Sequence, residues 1–386
     1  MLHYYFDHNA TTPVSPEVLE AMAPCFVEAY GNASSIHHFG QAAKQRLETA
    51  RRQVAALIGA DSKEIVFTSG GTEADNLALL GIVRPCEAKH VITTAIEHPA
   101  VLNTCAQIER EGGSVTFARV GSSGVVDPDD IRAAIRGNTV LISVMHANNE
   151  LGTVQPIAEI GRIAREAGVC FHVDGVQAAG RLAVNVRDLG VDLYSLSGHK
   201  LYGPKGAGAL YARKGSELRA ISFGGHHERD RRPGTENVAG AAGMGRAAEL
   251  AGASLEAESG RVAELRDRLE QGILAAAPDT AVNGDRGRRL PNTSNIRFDF
   301  IEGEPMVIAL DLRGFAVSSG AACSSGAVEP SHVLTAIGLS REQARSSLRF
   351  SLGRANTVEQ VDALIGAVAD AAAHLRRVSA TVPAHV

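Results

Sequence analysis

Between residues 65 and 173, short apolar runs alternate with helix-patterned segments, and no other feature of the chain restricts its fold as tightly. Residues 65–67, 90–94, 114–117, 140–144 and 169–173 read as strands, with residues 99–110, 128–135 and 157–167 as helices between them. Two successive strands can pair in parallel only through a long crossover, usually a helix. The rhythm therefore predicts an α/β fold with a mostly parallel sheet covered by helices on both faces. Ligands of such sheets sit at the carboxyl ends of the strands. The polar residues gather there: His98 after Ile92, Asn148-Asn149-Glu150 after Val144, Asp174 and Gln177 after Val173, and Lys200 after Leu196.

A chain of 386 residues exceeds what one compact core holds, so two domains are expected. After Tyr211 the pattern changes to a charged, glycine-punctuated loop over 223–237 and then a helical region over 238–277, with a soft break at Gly252-Ala-Ser254. Beyond it, strands at 295–300, 316–318 and 347–351 alternate with helices at 305–312, 331–338 and 358–377, the mark of a small α+β unit. The expected division is a large domain over 12–252 and a small one built from 1–11 and 253–386.

The formal charge of −5 gives no sign of a nucleic-acid or anionic-membrane surface. The N-terminus lacks the basic start and apolar run of a signal peptide, and no run is long enough to span a membrane, so the cytoplasm is expected. Cys25, Cys86, Cys105, Cys170 and Cys323 show no paired spacing, which points to reduced thiols. His37-His38 and His226-His227 are adjacent pairs whose side chains diverge, so no metal site is expected.

Within Ser197-Gly198-His199-Lys200, an apolar strand delivers a hydroxyl, an imidazole and an amine to one short turn. Lysine is costly at the end of a buried strand unless its amine has a partner or a reaction, and holding a carbonyl cofactor as a Schiff base is such a use. Asp174 lies one crossover earlier and can reach the same pocket, where a carboxylate suits a ring nitrogen. Upstream, Gly70-Gly71 separates a strand from a helix, and a strand–glycine–helix turn aims backbone N–H groups at an anion. Thr72 and Asp75 have the spacing of a capping box at the start of that helix.

Taken together, Val173-Asp174-Gly-Val-Gln177, Ser197-Gly-His-Lys200, Thr68-Ser-Gly-Gly-Thr72-Glu, Glu97-His98 and Ser318-Ser-Gly-Ala-Ala-Cys323 resemble the cysteine desulfurases, pyridoxal 5′-phosphate enzymes of the class V aminotransferase group. The resemblance runs from Tyr5 to about Arg354. It implies the type I aminotransferase fold, with a seven-stranded, mostly parallel sheet in the large domain, and a homodimer. It implies that Lys200 is the Schiff-base lysine, that Asp174 pairs with the pyridinium nitrogen and Gln177 with the ring hydroxyl, and that His98 stacks on the ring and moves protons. Gly71, Thr72, Ser197 and His199 hold the phosphate, joined by Thr235 from the neighbouring subunit. Asn149 and Arg349 bind the substrate carboxylate, for which a planar guanidinium is well shaped.

Cys323 sets the reaction that the resemblance implies. It lies in a run of Ser, Gly and Ala over about 318–328 that has little to anchor it and can carry a thiol in and out of a pocket. L-Cysteine displaces Lys200 from the cofactor, a proton leaves the α-carbon, Cys323 attacks the substrate sulfur, and alanine departs, leaving a persulfide for an acceptor such as an iron–sulfur scaffold. A selenocysteine lyase or another class V reaction is the alternative. Two departures from the family pattern stand out: Ala33 where Pro is common in Gly-Asn-Pro-Ser-Ser, and Gly175 where Ala is common after the aspartate.

Overall fold

The computed structural model describes residues 3–87, 89–319 and 329–381. The chain opens with β1 (Tyr4–Tyr5), α1 (Pro16–Met22), α2 (Pro24–Val27) and α3 (His38–Leu57). The alternating region follows as β2 (Ile65–Thr68), α4 (Gly71–Val83), β3 (His90–Thr94), α5 (Pro99–Arg110), β4 (Ser114–Ala118) and α6 (Pro128–Ala134). It continues through β5 (Thr139–Ser143), α7 (Ile157–Ala167), β6 (Cys170–Asp174), β7 (Leu193–Ser197) and β8 (Gly208–Ala212). These strands form one seven-stranded sheet in the order β2-β8-β7-β6-β5-β3-β4. Only β8 runs against its neighbours, because the connection from β7 is too short for a helical crossover and the chain must reverse.

The strand alternation separates two cores. Phe171, Val173, Tyr194 and Leu196 face one side, with apolar residues of α3, α7 and the long helix α8 (Val238–Ala276). Leu193, Leu141 and Val91 face the other, under α4 and α5. On that second side a polar strip interrupts the apolar surface. His172 bridges Ser143 Oγ and Ser195 Oγ, each at 2.9 Å, and the buried Asp75 of α4 lies 3.6 Å from His172 Nε2.

After α8 come β9 (Thr280–Asn283), β10 (Thr293–Phe298), α9 (Gly303–Asp311), β11 (Phe315–Ala316), α10 (His332–Ala336), α11 (Arg341–Arg345), β12 (Ser347–Ser351) and α12 (Val358–Thr381). β10 pairs antiparallel with β12 and β9, and β1 pairs in parallel with β11. A separate core of Phe6, Leu269, Phe298, Phe350 and Leu364 holds this part together. The N-terminal segment thus runs along the small sheet before it reaches the large one. Among the described residues, no helix is long and apolar enough to cross a membrane.

Two local expectations fail. The Thr72/Asp75 capping box does not form: α4 begins at Gly71 with Gly70 as its cap, and Asp75 turns into the sheet instead of back to the backbone. The soft break at Gly252-Ala-Ser254 is absent, since α8 passes through it unbroken and Ser254 Oγ donates to the Leu250 carbonyl at 2.9 Å. Strand β9 and helices α2 and α11 had no clear periodic signal because each is only four or five residues long.

Candidate active site

Lys200 ends a single 3-10 turn, Gly198–Lys200, that follows β7. Its Nζ donates to the carbonyls of Asn9 at 2.5 Å and Ala10 at 2.7 Å, so the N-terminal segment forms a strap across the amine. Burial, then the nearby Arg181 and Arg349, pull the amine down to about 7, against the opposing pull of Asp174 and Asp7. A lysine in this state is part neutral at physiological pH, as nucleophilic attack on a carbonyl requires.

Asp174 is the last residue of β6 and is buried. Its Oδ1 accepts from the Val176 N–H at 3.0 Å. Burial raises its carboxyl, and the charges of His98 and Lys200 together with that N–H hold it back. Gln177, in the turn that follows, donates from Nε2 to the Asn9 carbonyl at 3.0 Å. Asn9 therefore ties Gln177 and Lys200 to one oxygen. His98 caps α5, its Nδ1 accepting from the Ala100 N–H at 3.1 Å. Burial lowers the His98 imidazole, Asp174 opposes this, and Lys200 and His332 add to it.

At the start of α4, Gly71 leaves no room for a side chain: a Cβ there would come within 2.8 Å of Val176 Cγ2 and 3.6 Å of Ser197 Cβ. The helix N-terminus, the β7 terminus and the turn after Asp174 thus close on one bare backbone corner, with Thr72 exposed on its rim. Such a corner suits a phosphate. His199 lies on the neighbouring turn, its Nδ1 3.1 Å from Thr11 Oγ1, and burial followed by Lys200 lowers it to about 4. Backbone corner, carboxylate and amine together fit a flat, phosphorylated aldehyde.

Arg349, in the middle of β12, is buried. It donates to Asp7 Oδ1 at 2.6 Å and to the Asn149 carbonyl at 3.1 Å, and its Nε has no partner among the described residues. Asn149 also accepts through that carbonyl from Asn9 Nδ2 at 3.0 Å. Ser318, five positions before Cys323, exchanges backbone hydrogen bonds with Arg349. Cys323 itself lies outside the described residues.

Thr72, Ser197 and His199 are not among the residues that line the depression containing Thr235. Thr235 lines it with Thr68, Ser69, Gly206, Arg232 and Asn237. Its loop is pinned by Arg51, which binds Glu228 at 2.7 and 2.8 Å, and by Arg232 on Glu73 at 2.9 Å.

The departure at Gly175 has a steric origin. A Cβ at Gly175 would lie 1.9 Å from Tyr194 Cε1, and that ring is held by a hydrogen bond between its hydroxyl and His146 Nδ1 at 2.9 Å. Asn9, Asp7 and Arg181 escape the sequence reading. The Asn9 carbonyl that receives Lys200 and Gln177 leaves no side-chain signal, whereas Arg181, four positions after Gln177, stands out as a charge inside an otherwise apolar turn. Burial raises the thiols of Cys105 and Cys170, Cys105 to about 12, which leaves both poor nucleophiles.

Residues 4–364 match the family model described as aminotransferase class-V. A curated cysteine desulfurase from a Nostoc species is 50% identical over 376 residues, covering 97% of this chain and 94% of the relative. A solved structure described as a NifS-like protein superposes with a TM-score of 0.91 at 36% identity, covering 97% of this chain and 100% of its own. Another, described as SspA in complex with cysteine, gives a TM-score of 0.81 at 39% identity over 90% of this chain and 98% of its own. With fold, sheet order and likeness in agreement over nearly its whole length, the chain belongs to the aminotransferase class-V family and, within it, to the cysteine desulfurases.

Proposed function

We propose that the chain converts L-cysteine to L-alanine and receives the sulfur on Cys323 as a persulfide, with pyridoxal 5′-phosphate held by Lys200. The family and its desulfurase relatives support the activity. The residue assignment is carried by one observation: Lys200, Asp174 and the bare Gly71–Ser197 corner converge at one edge of the sheet. Pyridoxal phosphate, when bound, supplies the electron sink for charge that develops at the substrate α-carbon.

The chain supplies the rest. Asp174 holds the proton on the ring nitrogen, and Gln177 donates to the ring oxygen. Gly71, Thr72, Ser197 and His199 hold the phosphate. Arg349 with Asn149 fixes the substrate carboxylate and so orients the α-carbon. Lys200, poised near neutrality, takes and returns the proton there. His98, with Nδ1 engaged by the α5 backbone, would hold the ring in place and move protons at the substrate. Cys323 thiolate then attacks the substrate sulfur; the S–S bond forms, the C–S pair stays on carbon and is protonated, and alanine leaves. Ser318 pairs with the Arg349 backbone, and five residues of chain, the separation from Ser318 to Cys323, reach at most about 18 Å. The persulfide passes to an acceptor such as an iron–sulfur scaffold.

Thr235 completes the phosphate site of a second copy, a role that accords with its lining a depression to which Thr72 and Ser197 of its own chain do not contribute. A homodimer also accords with an exposed apolar surface of Leu19, Phe26, Val27, Tyr30, Ile36 and Phe39. The enzyme works in the cytoplasm, with reduced thiols. Purified protein given pyridoxal phosphate should turn yellow and release alanine from L-cysteine, and Lys200→Ala should do neither. A wild-type protein that stays colourless after added cofactor contradicts the reading. A monomer that binds the cofactor as tightly as the dimer contradicts the role of Thr235.

A further inference from the structure

Arg181 follows the Gln177 turn at the back of the cleft and is partly buried. Its Nη1 donates to the Gln177 carbonyl at 3.0 Å and to the Oε1 of the same residue, and its Nη2 donates to the His8 carbonyl at 3.2 Å. These acceptors are all neutral. Other buried arginines have carboxylates, Arg51 with Glu228 at 2.7 Å and Arg349 with Asp7 at 2.6 Å. Among the described residues none lies within 4.0 Å of Arg181. Glu258 shares a small cavity with Arg181, His8 and Lys200, but it is committed to Arg354 at 2.7 Å.

Two consequences follow from this geometry. Because Arg181 occupies Oε1, the amide of Gln177 is fixed with its NH2 outward, toward Asn9 and the cleft. Gln177 can then only donate. A bare guanidinium also stands behind Lys200, whose other charged or titratable neighbours are Arg349, Asp174, Asp7, His98 and His199.

We propose that Arg181 is a positioning residue of this site, fixing Gln177 as a donor to the ring oxygen of the cofactor and setting a positive charge with no directly paired carboxylate behind Lys200. The proposal rests on the roles given above to Lys200 and Gln177. After burial, Arg181 is the strongest influence lowering the Lys200 amine, ahead of Arg349, whose charge is offset by Asp7. Burial lowers Arg181 itself only to about 10, so it remains a cation at neutral pH.

Competitive acetylation of the full-length, cofactor-free protein across pH, read at Lys200 by mass spectrometry, tests the charge directly. Wild-type Lys200 should titrate well below an ordinary lysine. Arg181→Met and Arg181→Gln should raise its midpoint by about one unit, and Arg181→Lys should leave it low. Arg181→Gln keeps donors for the carbonyls and removes only the charge, so it also guards against a methionine variant that fails to fold. The dissociation constant for pyridoxal phosphate reads the second role: Arg181→Met should raise it several-fold, and Arg181→Gln should raise it less. An ordinary lysine midpoint in the wild type, or an unchanged midpoint in folded Arg181→Gln, overturns the proposal. Uptake of pyridoxal phosphate by the wild type is scored separately, so failure of the functional reading is distinguishable from failure of this one.

Discussion

Replacing Glu97 by glutamine should remove one proton's worth of pH dependence from the stability of the fold. Glu97 is fully buried, next in sequence to His98. Its Oε1 accepts from Thr94 Oγ1 at 2.6 Å and from the Met145 N–H at 3.0 Å, while Oε2 has no partner among the described residues. Burial lifts its carboxyl to about 8 and Asp174 adds to this, against the two hydrogen bonds. The unfolded chain releases that proton near the ordinary value of 4.5, so between there and about 8 the folded state holds more protons. Stability must therefore fall as pH rises through this window, by about 1.4 kcal/mol per pH unit for one proton. The loss levels off at about 5 kcal/mol once the pH has passed the upper end. Glutamine imitates the neutral acid and has nothing to release. Urea unfolding of both proteins from pH 5 to 8.5 should show the variant gaining on the wild type with each step in pH. The buried Asp75, Glu150 and Asp174 remain in both proteins, so the difference reports Glu97 together with its electrostatic link to Asp75 and Asp174. Parallel stability curves would refute the claim that Glu97 is held neutral.

Gly175→Ala should destabilise the protein by about 3 kcal/mol, because its Cβ would strike the Tyr194 ring; an unchanged melting temperature would contradict the packing described. Arg51→Met should cost roughly 3–5 kcal/mol by stranding the Glu228 carboxylate, and Arg51→Met with Glu228→Gln should recover much of it in thermal unfolding. Arg349→Gln should raise KM for L-cysteine roughly 10- to 100-fold, the loss of a charge-assisted pair, while cofactor absorbance persists; an unchanged KM places the substrate carboxylate elsewhere.

The sheet was legible because its signal is repeated. Helix α7 and strand β12 have the bounds that their periodicity predicts, and the reversal into β8 follows from the short connection at Gly203–Gly208. The site was legible where a side chain of costly type stood at a strand end, as Asp174 and Lys200 do. What stayed hidden acts through the backbone or through tertiary company. Nothing in the letters of Asn9 tells that its carbonyl receives both Lys200 and Gln177 across the whole large unit. Asp75 has the spacing of a cap, yet the polar strip of His172 and Ser195 draws it into the sheet, a choice that only the packed structure exposes. The departure at Gly175 is visible in the letters, but its cause, the Tyr194 ring in the space of the missing side chain, is not.

The most direct test of the account is the fate of the sulfur atom in a single turnover. Protein loaded with pyridoxal phosphate and given one equivalent of L-cysteine, with no acceptor or reductant, should yield alanine and a mass gain of one sulfur atom on the peptide containing Cys323. Cys323→Ser should keep the yellow colour and form no persulfide. Alanine and sulfide released by Cys323→Ser at the wild-type rate would contradict the account.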